Sequence, residues 1–181
     1  MTKVISKKEI FKGKMFTVYE DQLVLSTGSK RTYHSIIRRP AVSVFPLDKE
    51  GNIYLIDQYR YLHENRLIEA VAGMIEDGED IKNTAVRELR EELGIKAKKI
   101  KYLGKMRSAG SIVSWYQELF LAQDLEFGDM EHEESEDIKP VKMKFSKAVE
   151  KVVNWEIDST PPTMFGILLI DKLISQGKIK I

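Results

Sequence analysis

Apolar residues recur at helical spacing in one place above all. Between Asp80 and Leu93, the residues Ala85, Val86, Leu89 and Leu93 share one face, which is the pattern of an amphipathic helix. Acidic residues crowd the start of this stretch and Gly94 follows its end, so both the start and stop signals of a helix are present. Upstream, the pattern is that of strands. Lys14 to Leu25 is rich in β-formers (Phe16, Thr17, Val18, Tyr19), Ser26-Thr27-Gly28-Ser29 makes a turn, and Arg31 to Arg38 returns, which predicts a hairpin. Ala41 to Leu47 and Asn52 to Arg60 read as two more strands, joined by the polar turn Asp48-Lys49-Glu50-Gly51. Downstream, Ile100 to Met106, Trp115 to Leu121 and Val141 to Phe145 look like strands, and Glu126 to Asp137 like an acidic loop. Ser146 to Val153 and Pro162 to Gln176 read as helices opened by a capping residue or proline. Strands come in runs and helices follow, so the predicted class is α+β.

Composition narrows the chemistry. A chain of 181 residues suits one domain with a sizeable core. The formal net charge of +1 gives no global drive toward nucleic acid or membrane. There is no cysteine, which excludes disulfides, thiolate nucleophiles and zinc–cysteine sites and fits a reducing, cytoplasmic setting. Met1 to Phe11 alternates lysine with apolar residues and has no continuous apolar core, so no signal peptide is expected. No stretch reaches the roughly 20 apolar residues of a membrane span.

The informative segment is Gly73 to Ile95. Glu88 and Glu92 are four residues apart and so lie one turn apart on one helix face, with Glu91 bordering it. Three carboxylates on one side repel one another unless a cation sits among them. Hard oxygen ligands of this kind suit Mg²⁺ or Mn²⁺, which also bind phosphates. The alternative is a solvated helix in which Arg87 simply pairs with Glu91, four residues on. The glycines between Gly73 and Gly78 let the backbone approach a ligand closely.

At every specified position this segment matches G-x5-E-x7-R-E-U-x-E-E-x-G-U, U being aliphatic, and so resembles the Nudix hydrolases. The resemblance implies an α/β/α sandwich around a mixed sheet, preceded here by an antiparallel strand extension. Leu67 to Glu76, the strand Asp57-Gln58-Tyr59-Arg60 and the acidic Glu134-Ser135-Glu136-Asp137-Ile138 resemble the ADP-ribose pyrophosphatases within that family. By this likeness Glu88, Glu92, the Ala72 carbonyl and Glu136 would hold Mg²⁺ or Mn²⁺. Arg87 would orient a glutamate, and Glu134 or Glu136, with Glu91 as the next candidate, would activate the attacking water. Arg60, Glu69, Arg38 and Gly110 would bind substrate. The implied reaction is hydrolysis of the diphosphate link of ADP-ribose or an ADP-sugar to two monophosphates. A GDP-mannose-type hydrolase and a non-catalytic nucleotide sensor are the rivals, the latter opposed by the survival of all three glutamates.

The chain departs from those enzymes at Ser108-Ala109-Gly110, where they usually carry proline second, and at Ser114-Trp115-Tyr116, where they often carry an acid. His34, His63 and His132 lack metal-like spacing and read as surface or structural residues. Trp115 and Tyr116 suit either stacking on a base or packing. The expected organisation is a strand region over residues 1–38 that pairs two subunits in a homodimer, followed by a catalytic domain over 39–181. Glu92, taken as an exposed carboxylate, is expected to be dispensable for folding.

Overall fold

The computed structural model describes residues 1–131 and 137–181. The chain divides into two units, residues 1–40 with 107–116, and residues 41–106 with 117–181.

The first unit is built on three antiparallel strands, β1 (Lys3–Lys12), β2 (Phe16–Val24) and β3 (Lys30–Arg38). The predicted hairpin is β2–β3, in register from Phe16 opposite Arg38 to Val24 opposite Lys30. Its turn closes through Leu25 and Ser29 around Gly28 at φ 87°, a conformation that favours glycine. The lysine-rich N-terminus, part of the strand region expected over residues 1–38, is the strand β1. It pairs with β2 and all ten of its residues are exposed. The start of β9 (Val113–Phe127) lies parallel to β3 at Ile36–Val113 and Ile37–Ser114.

The second unit is a sandwich. β4 (Ala41–Pro46) is fully buried and runs between β7 (Val71–Met74), antiparallel, and the later part of β9, parallel. β8 (Ile95–Ala109) pairs with β9. A second sheet orders β10 (Ile138–Lys144), β5 (Asn52–Arg60) and β6 (Asn65–Glu69). The side chains of β4 alternate between two cores, as strand geometry requires. Val42 and Val44 pack with Ala85, Leu89 and Leu93 of α1 (Ile81–Leu93). Phe45 packs with Ala148 and Val152 of α2 (Phe145–Val153) and with Ile167 and Ile170 of α3 (Pro161–Ser175). Helices therefore cover both faces, and the α+β class holds. Gly166 lets α3 approach closely, because a Cβ there would fall inside the Phe45 ring. No helix among the described residues is long and apolar enough to cross a membrane.

The boundaries furthest from expectation are these. β6 and β7, separated by Ala70 alone, occupy what reads as a loop leading to the helix. β8 begins at Ile95, immediately after the helix cap, although Lys96 to Lys99 look unlike a strand. β9 continues to Phe127, into the expected acidic loop.

Candidate active site

The site is assembled by α1 and β7. Asp80 caps the helix, its carboxylate accepting from the Lys82 and Asn83 amides at 2.9 and 3.2 Å. Gly94 ends it at φ 62°. A side chain at Gly94 would also strike the Gly128–Asp129 backbone, which crosses directly over it. The helix lays its apolar stripe on β4, so its acidic edge meets the backbone of β7.

That edge is buried. Glu88 and Glu92 are 8% and 4% exposed, so Glu92 is not the exposed carboxylate the sequence suggests. Its Oε2 accepts from the Ala72 amide at 3.2 Å. Glu88 sits over Gly73, where an added Cβ would fall inside its carboxylate group. Gly73 is thus a seat for a carboxylate.

Arg87 is the hub. Its Nε and Nη2 take the two oxygens of Glu79 at 3.0 and 3.2 Å, its Nη1 donates to Glu88 at 2.7 Å and Glu91 at 2.9 Å, and Nη2 also reaches the Met74 carbonyl at 3.3 Å. The Arg87–Glu91 pair therefore exists, but as one arm of a network rather than as a solvated surface pair. The sequence gives Glu79 no partner; the structure makes it the bidentate partner of Arg87. That bonding, opposed in part by desolvation, holds the Glu79 carboxyl down to about 2, and it raises Arg87 above its ordinary value.

Glu79, Glu88, Glu91 and Glu92 set four carboxylates against one guanidinium. Two carboxylates 4 Å apart repel by about 4 kcal/mol at an effective dielectric of 20, so this excess negative charge favours a cation. The donor set, all oxygen and partly buried, fits a hard divalent ion. Among the described residues no group of three or more Asp, Glu or His is gathered into a metal site by itself. Arg87 holds oxygens of Glu88 and Glu91, and Ala72 holds one of Glu92.

Ala72, Arg87, Glu88, Glu91 and Glu92 are therefore brought together. Arg60 and Glu69 meet as a second pair, Nε to Oε1 at 3.1 Å with Nη2 on Oε2, and Glu69 is only 3% exposed. Arg38 and Gly110 belong to the first unit. There Arg38 lies 4.1 Å above the Trp115 ring, which occupies Trp115 within that unit. Glu134, Glu136 and His132 lie outside the described residues. The chain on either side of them is anchored. The Glu131 amide donates to the Glu91 carbonyl at 3.1 Å and Arg90 pairs with Glu131 at 3.2 Å, while Asp137 is gripped by Arg66 at 2.6 Å.

The family model for the NUDIX domain matches residues 37–161. The chain belongs to that family. It is a Nudix-type hydrolase, and two relatives are similar to it over most of their length. An ADP-ribose pyrophosphatase of Bacillus subtilis is 31% identical over 158 residues, which cover 86% of this chain and 85% of that one. The ADP compounds hydrolase NudE of Escherichia coli is 25% identical over 178 residues, covering 97% and 95%. A solved structure of an ADP compounds hydrolase superposes with a TM-score of 0.83 at 24% identity, covering 98% of this chain and 97% of that one.

Proposed function

We propose that this hydrolase cleaves the diphosphate link of a nucleoside diphosphate derivative, ADP-ribose or a related ADP-sugar, to two monophosphates, with Mg²⁺ as its metal and Mn²⁺ as a substitute. The observation that carries the reading is the seating of the Glu88 carboxylate on Gly73 beside the Glu92–Ala72 contact. It concentrates buried negative charge that suits a hard divalent cation, the partner a diphosphate requires. The names of the relatives supply the substrate class.

Glu88 and Glu92, with the Ala72 carbonyl and Glu136, would hold the metal. When bound, it neutralises charge on the phosphoryl oxygens and lowers the pKa of a coordinated water. Arg87 fixes the Glu88 and Glu91 carboxylates by charged hydrogen bonds, so their rotamers are set before substrate arrives. Glu134 or Glu136 takes the proton of the attacking water. Arg60, held by buried Glu69, presents a fixed guanidinium to the substrate.

The same reading includes a cytoplasmic setting, in keeping with the absence of cysteine, and a homodimer formed through residues 1–38. What supports the dimer is the exposed β1, which among the described residues pairs on one side only and so presents an open edge.

The test is hydrolysis of ADP-ribose, ADP-glucose, GDP-mannose and NADH side by side with Mg²⁺. The expected result is the highest kcat/KM on ADP-ribose or ADP-glucose, with AMP as a product. A preference for GDP-mannose would move the assignment to the rival class, and no turnover of any of them would favour the sensor.

A further inference from the structure

The sheet face beneath α1 carries a second polar cluster. Val42 on β4 pairs with Gly73 on β7 and with Glu118 on β9, so the three form one row across the sheet. Directly paired residues share a face, and Val42 faces α1. Glu118 therefore points to the same side as the seat of Glu88, two strand spacings or about 10 Å away.

Glu118 is 5% exposed. Burying a carboxylate is costly unless its oxygens are bonded, and here both are. The Tyr102 hydroxyl donates to Oε2 at 2.6 Å and Lys105 Nζ lies 3.0 Å from Oε1. Tyr102 itself is 49% exposed and is backed by Phe120, with ring centroids 5.4 Å apart at 58°. The hydrogen bond to Glu118, with burial, pushes the phenol up to about 12, so it stays neutral through the physiological range. The ring is thus anchored at its hydroxyl and set against Phe120, while about half of the residue's surface remains accessible. A ring immobilised beforehand loses little rotamer freedom when a ligand stacks on it. The adjacent ammonium adds positive charge. A fixed aromatic surface beside a cation, one nucleoside's reach from a diphosphate site, has the chemistry that recognises a nucleobase and its neighbouring phosphate.

We propose that Tyr102 is the platform on which the nucleobase half of the substrate stacks, with Lys105 beside it and Glu118 as the positioning residue that fixes both; this rests on the nucleoside diphosphate reading above. No pattern along the chain points to it, because the three residues lie on two strands whose pairing only the fold supplies.

The test compares binding of ADP and of inorganic pyrophosphate by calorimetry in the presence of Mg²⁺, together with steady-state kinetics on ADP-ribose. Tyr102→Leu is expected to weaken ADP binding about tenfold and raise KM by a similar factor, with kcat nearly unchanged and pyrophosphate binding unaffected. Tyr102→Phe keeps the ring and most of the affinity. Glu118→Ala frees the ring and weakens ADP, and Glu118→Gln, which still accepts the phenol's hydrogen bond, restores it. Equal weakening of ADP and pyrophosphate, or no weakening of ADP, overturns the platform. A wild-type protein that turns over no nucleotide but binds ADP through Tyr102 overturns the functional reading and upholds the platform. Should Tyr102→Leu fail to fold, the Glu118→Ala and Glu118→Gln pair decides the question alone.

Discussion

Replacing Gly73 by alanine separates the site from the fold. Gly73 lies in β7 outside the left-handed region, so alanine can adopt its backbone conformation. On that ground alone the change stabilises by about 0.4–1 kcal/mol through the unfolded chain. The new methyl, however, occupies the place of the Glu88 carboxylate. A flexible glutamate can swing away, but only by giving up its 2.7 Å bond to Arg87, a charged hydrogen bond worth about 1.5–3 kcal/mol. Relief of the repulsion among the remaining carboxylates offsets part of that loss. The net change in stability is therefore expected to stay within about 2 kcal/mol, or a few degrees in Tm. Activity should respond on another scale. Displacing even the partner of a metal ligand typically costs 10- to 100-fold, and here the proposed ligand itself moves, so kcat at saturating Mg²⁺ should fall at least about 100-fold. Thermal denaturation and single-turnover kinetics on one protein sample read both quantities. A variant that melts as the wild type does and keeps its turnover would refute the idea that Gly73 exists to seat Glu88.

Glu92→Gln should lower kcat by orders of magnitude while the protein still folds, since glutamine can keep the contact to the Ala72 amide; unchanged turnover at saturating Mg²⁺ would remove Glu92 from the ligand set. Glu79 has its folded-state carboxyl depressed from 4.5 to about 2. The stability it contributes is thus fully present above pH 4.5 and is lost as the pH falls toward 2, on the order of 3 kcal/mol. Acid unfolding of Glu79→Gln should accordingly be less pH-dependent across that window, and parallel curves would contradict the assignment. Glu134→Gln and Glu136→Gln should reduce kcat more than they raise KM in whichever residue is the base; if neither changes turnover, Glu91 is the next to test. Sedimentation of the full chain should give about twice the 20.9 kDa chain mass, and a single-chain mass at micromolar concentration would overturn the dimer.

The elements most legible in the sequence were those whose signals are local. Asp80 and Gly94 bound α1 because capping and left-handed backbone are properties of single residues. The β2–β3 hairpin was legible because its turn chemistry and β-formers coincide. β1 was legible only as part of a strand region, because a strand exposed along its whole length has no buried face to mark its bounds. β6 and β7 were hidden by their shortness. Within the site, the spacing of Glu88 and Glu92 was local to one helix and readable. The seat at Gly73, fifteen residues from Glu88, and the Tyr102–Glu118 bond depend on which strand lies beside which. No periodicity along the chain carries that information. The burial of Glu92 was missed for the same reason, since a helix pattern distinguishes apolar from polar faces but does not say what the polar face meets.

Arg87 gives the site a resident counter-charge. Its guanidinium binds three carboxylates at once, so the acidic edge of α1 is stable before any ion reaches it. Folding and metal loading are then separate events, unlike the coupled behaviour of small metal-dependent domains that collapse without their ion. A cation held by Glu88 would compete with Arg87 for the carboxylate oxygen that the guanidinium holds at 2.7 Å, so that exchange would enter its affinity. A chelator that strips a divalent metal from this site is therefore expected to leave the chain folded.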